Sequence, residues 1–332
     1  MNGENVLKLI KTPGAKILSY SAVCGKKEKE GPLGGGFDHY SEDDRFSAPT
    51  FEKAEENMQA EAYLRAVKKA GENAPEAIIA GDLMNQCTAS SIAHKDTGLP
   101  YIGLYGACST LAEALALGAV LVSRGAFEGC ACQVSSHNCT AERQYRTPLE
   151  YGGQRPPTAQ WTVTASACFV LGREGGAEIS EVFFGRIVDM GINDPCNMGA
   201  AMAPAAADTL YGYFKATGTS PRDYDMIYTG DLGREGSGIL CEIMESLNCS
   251  LSDRHEDCGR LIYSAKDDVH SGGSGAGCSG GVLAAHILPG VERGELKNVL
   301  FVATGALHSP SSLAQGGTIP GIAHLIRIIK GA

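Results

Sequence analysis

Strand-like and helix-like segments alternate along this chain in one rhythm that runs twice, and that rhythm restricts the fold more than any other feature. In the first pass, residues 17–25 (ILSYSAVCG) read as a strand and 51–70 as an amphipathic helix. Residues 75–84 form a strand that ends at the polar Asp82, and 100–109 (PYIGLYGACS) lead into a long small-residue helix, TLAEALALGAVLVSRG. Residues 129–137 give a further strand, with 161–172 expected to pair with it. The second pass places strands at 179–190, 223–231, 260–264 (RLIYS), 297–305 and 322–330, and helices at 203–215, 236–247 and 277–288. Its 223–231 strand also ends at an aspartate. Strands alternating with helices of this length predict sheets covered by helices, an α/β class. Two copies predict a five-layered αβαβα pseudo-dimer of two similar halves, residues 1–175 and 176–332, with glycine-rich turns meeting at the centre.

A chain of 332 residues suits two fused units, and 43% apolar with 20% charged residues is an ordinary globular balance. The glycines cluster at 31–36, 271–281 and 316–321, where backbone must turn tightly or approach a ligand. A net charge of −10 argues against nucleic acid or an anionic membrane surface as partner. No apolar run reaches the ~18 residues needed to span a bilayer. The start, MNGENVLKLIK, lacks the apolar core of a signal peptide, so the expectation is a chain made and kept inside the cell. There the twelve cysteines read as reduced thiols, mostly small core residues such as Cys24, Cys130, Cys168 and Cys241. Cys130 and Cys132 are spaced to put both thiols on one face of a strand; a zinc site with His137 and Cys139 is the alternative.

Three stretches carry chemistry. Cys108, in LYGACSTLAEALALGA (104–119), follows a strand and opens a helix. Free N–H groups and the positive end of the helix dipole there stabilise a thiolate, lowering the thiol pKa and making either a nucleophile or an anion contact. Against this, Cys108 is one small residue among twelve cysteines. His270 precedes a glycine-rich turn in DVHSGGSGAGCSGG (268–281), although a histidine beside glycines is more often structural or exposed. His308, in TGALHSP (304–310), stands just beyond a strand end. A cysteine on a turn of one half and two histidines on turns of the other suit nucleophile activation and oxyanion stabilisation.

Cysteine at a strand–helix turn, H-S-G-G-S-G-A and a glycine-rich C-terminal region together resemble the thiolase and β-ketoacyl synthase superfamily. Its enzymes pair a nucleophilic cysteine with a histidine in a GHPxGxSG-like turn and a third group near the C-terminus. Here the proline of that turn is absent, and His308 fills the third region without matching its pattern. A narrower resemblance runs nearly end to end. AGDLMNQ (80–86), GLYGACST (103–110), SSHNCTAERQYRTPLEYGGQRPPTAQWTV (135–163) and HSGGSGAGCSGG (270–281) are similar to the stage V sporulation protein AD family. That resemblance implies a soluble thiolase-like subunit of the machinery that moves dipicolinic acid, alone or with calcium, into the developing spore. It implies a forespore location at the inner spore membrane, membrane subunits as partners, and dipicolinate in the pocket equivalent to the enzyme site. No cofactor is expected, calcium entering only with the ligand.

Dipicolinate is a flat pyridine with two carboxylates, so its receptor needs cationic or N–H donors at two ends of a slot. Segment 135–163 offers Arg143, Arg146 and Arg155 with Tyr145, Tyr151 and Trp161, and arginine suits bidentate carboxylate recognition. The same arginines could instead pair with Glu142 and Glu150. Asp82 would hold a calcium carried by the ligand, or cap the loop after it. Glu113, inside an apolar helix, needs a partner, in the pocket or across a dimer contact. The expected dimer is a homodimer formed through a sheet edge near Cys130–Val134. The leading expectation is a non-catalytic dipicolinate-binding subunit. The alternatives are an acyl-thioester condensing or transfer enzyme using Cys108, His270 and His308, or a scaffold with a vestigial site.

Overall fold

The computed structural model describes residues 8–146, 154–264 and 266–331. In the first half the strands are β1 (Leu9–Lys11), β2 (Lys16–Cys24), β3 (His39–Tyr40), β4 (Ala77–Gly81), β5 (Tyr101–Gly103), β6 (Cys130–Ser136), β7 (Trp161–Thr162) and β8 (Ala165–Gly172). In the second they are β9 (Ala177–Phe184), β10 (Met226–Thr229), β11 (His255–Asp257), β12 (Gly273–Ser274), β13 (Asn298–Ala306) and β14 (Gly321–Lys330). The strand order β5-β4-β6-β8-β2 of the first sheet is repeated as β11-β10-β13-β14-β9 in the second. The two sheets join where Lys16 and Ile17 of β2 pair with Glu178 and Ala177 of β9, and β1 also pairs along β9. In each, the strand after the long crossover helix (β6 or β13) runs parallel to the neighbour on one side (β4 or β10), and the next strand in the sheet (β8 or β14) returns antiparallel on the other.

Three apolar clusters separate five layers. On the outside of the first sheet lies helix Phe51–Ala70, which starts at a Thr50 cap that accepts from Lys53 N and ends at Gly71. Its inward residues Ala54, Met58, Ala62 and Ala66 fall at helical spacing and pack on Ile78, Ala80, Cys168 and Val170. Helix Met198–Thr217 covers the outside of the second sheet in the same way. Between the sheets lie helix Thr110–Ser123 and the helical stretch that begins at Ala276. Helix Thr110–Ser123 touches β4, β6 and β8 of one sheet and β9, β13 and β14 of the other. A helix apolar all round has no solvent face to offer, and its sequence, TLAEALALGAVLVS, could not lie on a surface. Among the described residues no helix is long and apolar enough to cross a membrane.

Four sequence expectations are corrected. RLIYS is not a strand: β11 is His255–Asp257, and Cys258–Leu261 turn helically. The Asp257 carboxylate accepts from Thr229 Oγ1, Leu232 N and Gly233 N, which fixes the strand end there. Second, β6 lies between β4 and β8 and every residue in it is buried, so Cys130–Val134 cannot form a sheet edge. A run of seven buried residues without polar alternation is the signature of an interior strand; the free edge of that sheet is β5. Third, of 161–172 only β8 pairs with β6, while Trp161 and Thr162 pair with Gly273 and Ser274 of the second half. Fourth, the helix expected from Ala203 begins at Met198, because Asn197 caps it and Pro204 is accommodated inside. The Cys130 and Cys132 thiols do share a face, in the core between the sheets, with Cys132 Sγ directed at Ala114 O (3.2 Å).

Candidate functional site

Cys108 sits on a turn that closes on itself before the buried helix begins. Ser109 Oγ donates to Gly106 O (2.7 Å), Thr110 Oγ1 donates to Ala107 O (2.7 Å), and Gly106 N donates to Thr110 Oγ1 (3.0 Å). Ala107 is held at φ +52°, a region costly for a residue with a side chain. From the other half, β13 ends directly against this turn. A Cβ on Gly305 would stand 2.3 Å from Gly106 O.

The side chains that meet the Cys108 thiol from the second half are the Asp231 carboxylate and the Ser274 hydroxyl, and not an imidazole. Asp231 is fully buried and accepts from Thr304 Oγ1 (2.8 Å), Gly275 N (2.8 Å) and Ser274 Oγ (3.4 Å). Gly275 can aim its N–H this way because it adopts φ +106°, open only to glycine. Asp257, also buried, lies behind. Burial raises the Asp231 carboxyl to about 6; burial, with the Asp231 charge adding to it, raises Asp257 to about 7. The Cys108 thiol is pushed well above its ordinary range, first by burial and then by Asp231. The expected thiolate-stabilising effect of the helix start is therefore overturned: desolvation and a like charge in contact outweigh a terminal dipole.

Cys108 forms part of the floor of a cavity of about 470 Å³, counting the space open at its mouth. Tyr105, Tyr145, Arg146 and His308 supply its polar wall, and Leu83, Met198 and Met202 its apolar side. The Tyr105 and Tyr145 hydroxyls meet at 2.8 Å, Tyr145 donates to Leu83 O, and the His308 ring lies 5.5 Å from that of Tyr145. The Arg146 guanidinium is largely buried and pairs with Glu142. Burial, then Arg146, pushes the His308 imidazole down, so it stands neutral near pH 7. A second basin shares Tyr105, Tyr145 and His308 and adds Asn85, Gln86, Gln144 and Ser309, forming a vestibule of amides and hydroxyls.

Of the residues singled out from sequence, Cys108, Tyr145, Arg146 and His308 line the cavity. His270 does not; its ring lies 3.6 Å from Asp268 and is partly exposed, and its carbonyl accepts from Arg234. It is Ser274 and Gly275, further along the same glycine-rich turn, that reach the centre. Arg143 pairs with Glu52 (2.8 Å) against the Phe51 ring, and Arg155 stacks on Trp161 and donates to Asp268 O (2.7 Å). Asp82 caps its loop, accepting from Met84 N, Ser90 N and Ser90 Oγ, so its oxygens are spent on the chain. Glu113 points at Gly106, behind the turn, and its buried Oε2 has no partner among the described residues. Tyr151 and Glu150 lie outside the described residues. No group of three or more His, Cys, Asp or Glu among the described residues is arranged to hold a metal. Sequence reasoning missed Asp231, Asp257, Thr304 and Tyr105. The signal for Asp231 was present: it ends its strand in the second half as Asp82 does in the first.

The family model of stage V sporulation protein AD (SpoVAD) matches residues 3–329. The stage V sporulation protein AD of Bacillus subtilis (strain 168) is 41% identical over 311 residues, covering 93% of this chain and 92% of that protein. Among solved structures, 3-oxoacyl-[acyl-carrier-protein] synthase III from Aquifex aeolicus VF5 superposes with a TM-score of 0.57 at 12% identity, covering 94% of this chain and 99% of that one. A single-substitution variant of OleA from Xanthomonas campestris gives 0.59 at 11% identity, covering 96% and 99%. Similarity at that identity shows a shared fold, the thiolase-like one of the condensing enzymes. The near full-length match and the 41% identical relative show the family: this chain is a member of the stage V sporulation protein AD family.

Proposed function

We propose that this sporulation protein is a non-catalytic subunit that binds dipicolinic acid, or its calcium complex, in the Cys108 cavity for transfer into the forming spore. The observation that carries this reading is the setting of Cys108: in an enzyme of this fold the thiolate would need an imidazole or a positive charge to stabilise it, and here it faces the Asp231 carboxylate, which opposes its formation. The cavity wall fits a flat aromatic acid, with two tyrosine rings to stack on, a guanidinium at Arg146 and an imidazole at His308. In this reading the subunit works in the forespore beside membrane subunits. It does so as a homodimer built through the free edge strand β5; sedimentation showing only a ~35 kDa species would count against the dimer.

Calorimetry with dipicolinate and its calcium complex at millimolar concentration tests the binding. Wild-type protein is expected to give heat, and Arg146→Ala to bind at least about tenfold more weakly, since a charge-assisted contact contributes roughly 1.5–3 kcal/mol. Absence of heat with either form sinks the proposal. The position of Cys108 at a helix start favours a second reading, an acyl-thioester condensing enzyme. Intact mass after incubation with acyl-CoA separates the two, a cysteine-dependent adduct being expected only of the enzyme.

A further inference from the structure

The centre of the site holds two buried carboxyl groups, and no cation among the described residues pairs with either. Every element around Asp231 presents a neutral or acidic group. The turn before the buried helix gives Cys108, β13 gives Thr304, and the glycine-rich turn gives Ser274 and the N–H of Gly275. From behind come Asp257 at the end of β11, Cys258 after it, and Cys278 on the helix that begins at Ala276. Asp257 shares Thr229 Oγ1 with His255 Nε2 (2.9 Å), and burial pushes that imidazole down to about 4, so it brings no charge at neutral pH. Among the described residues neither Asp231 nor Asp257 takes part in an ion pair. The fixed charge of the site, Arg146, stands in the cavity wall and is already paired with Glu142.

Cys108 and Ser274 line the cavity and both reach Asp231 behind them, so the carboxylate stands one side chain away from the cavity space. Resting on the binding reading above, we infer that an acid ligand enters this site together with a proton, which is held by Asp231, so that the species bound is an anion plus H⁺. A second negative charge in a poorly solvated site makes proton release from Asp231 harder. By reciprocity, a protonated Asp231 makes anion binding easier. Because Asp231 without ligand titrates near 6, it is largely ionised at neutral pH and has a proton to gain. The bound state holds more protons than the free state, so affinity falls as pH rises. This gives the acidic floor a role: the site takes its ligand tightly on the acid side and lets it go on the alkaline side.

Titration calorimetry with dipicolinate at pH 7.5, in buffers of different ionisation enthalpy, counts the protons. The expected result is uptake of roughly half to one proton per ligand, with affinity about tenfold weaker at pH 8 than at pH 6, since each proton taken up makes affinity change by up to a factor of ten per pH unit. His308 is the other group that gains a proton beside an anion, so His308→Gln is expected to keep most of the uptake and Asp231→Asn to lose it. Heat that does not depend on the buffer overturns the inference while leaving the binding reading intact. Uptake that survives in Asp231→Asn, or vanishes in His308→Gln alone, also overturns it. If Asp231→Asn does not fold, the wild-type proton count and His308→Gln decide. No heat in any buffer removes the binding reading and this inference with it.

Discussion

Asp231→Asn is expected to make Cys108 react with iodoacetamide at pH 7.5 at least about tenfold faster than it does in the wild-type protein. Alkylation needs the thiolate, and in the native protein two effects oppose it: burial of the sulfur and the Asp231 carboxylate in contact with it. The substitution leaves the burial and removes the like charge, which at contact distance in a partly desolvated site contributes a few kcal/mol. A tenfold change in thiolate at fixed pH corresponds to about 1.4 kcal/mol. The dipole of helix Thr110–Ser123, masked by the carboxylate, then works against burial alone. Peptide mapping by mass spectrometry after timed alkylation isolates Cys108 from the part-exposed Cys139, Cys196, Cys241 and Cys249, which serve as internal references. An unchanged Cys108 rate beside unchanged references would mean that burial alone silences the thiol and that Asp231 has no such role.

The same carboxylate sets this member of the family apart within a fold shared with condensing enzymes. The architecture brings the start of one buried helix and the glycine-rich turn before the other to a common centre, and it makes a cavity there. What the cavity does depends on the few side chains that meet in it. With Asp231 against the thiol, the Thr304 hydroxyl and Gly275 N–H donating to that carboxylate, and Asp257 behind, the polar groups are satisfied by each other and point inward. Besides Cys108 and Ser274, the polar groups that line the cavity include two tyrosines, one guanidinium and one neutral imidazole.

Hydrophobic periodicity was enough to place most of the elements. Helix Phe51–Ala70 agrees with its pattern at both ends because Thr50 and Gly71 mark them chemically. The buried helix after Cys108 was readable because it has no polar face. Where sequence failed, a contact distant along the chain decided. RLIYS is as apolar as a strand, yet the strand end is set by Asp257 gripping Leu232 and Gly233, 24 or more positions away. His270 stood out because its ring has chemistry, but the turn it opens delivers Ser274 and Gly275 to the centre while the ring stays beside Asp268. Asp231 was passed over for the opposite reason. An aspartate after a strand is usually a loop cap, which is what Asp82 is. Only the meeting of the two halves separates the two aspartates.

That meeting leaves no room for a side chain at Gly305, and Gly305→Ala is expected to lower stability by on the order of 3 kcal/mol and to weaken ligand binding at least about tenfold. The added Cβ would lie 2.3 Å from Gly106 O, 3.0 Å from Ser109 N and 3.2 Å from Ser109 Cβ. A methyl on the main chain has no rotamer by which to escape, and two of the three atoms it meets are backbone. Gly305 itself cannot recoil, because it is paired in β13 opposite Ile322 of β14, within the second sheet. The strain must therefore move the turn that carries Cys108, whose Ala107 already sits at φ +52°. Urea denaturation reads the stability loss and calorimetry with dipicolinate reads the binding. Gly238→Ala provides the contrast: an exposed glycine in helix Gly233–Ser246 with nothing within 4 Å of its would-be Cβ. There alanine is expected to stabilise by about 0.5–1 kcal/mol through helix propensity alone. If Gly305→Ala unfolded at the wild-type urea concentration and bound normally, the two halves would not be in the contact on which the cavity depends.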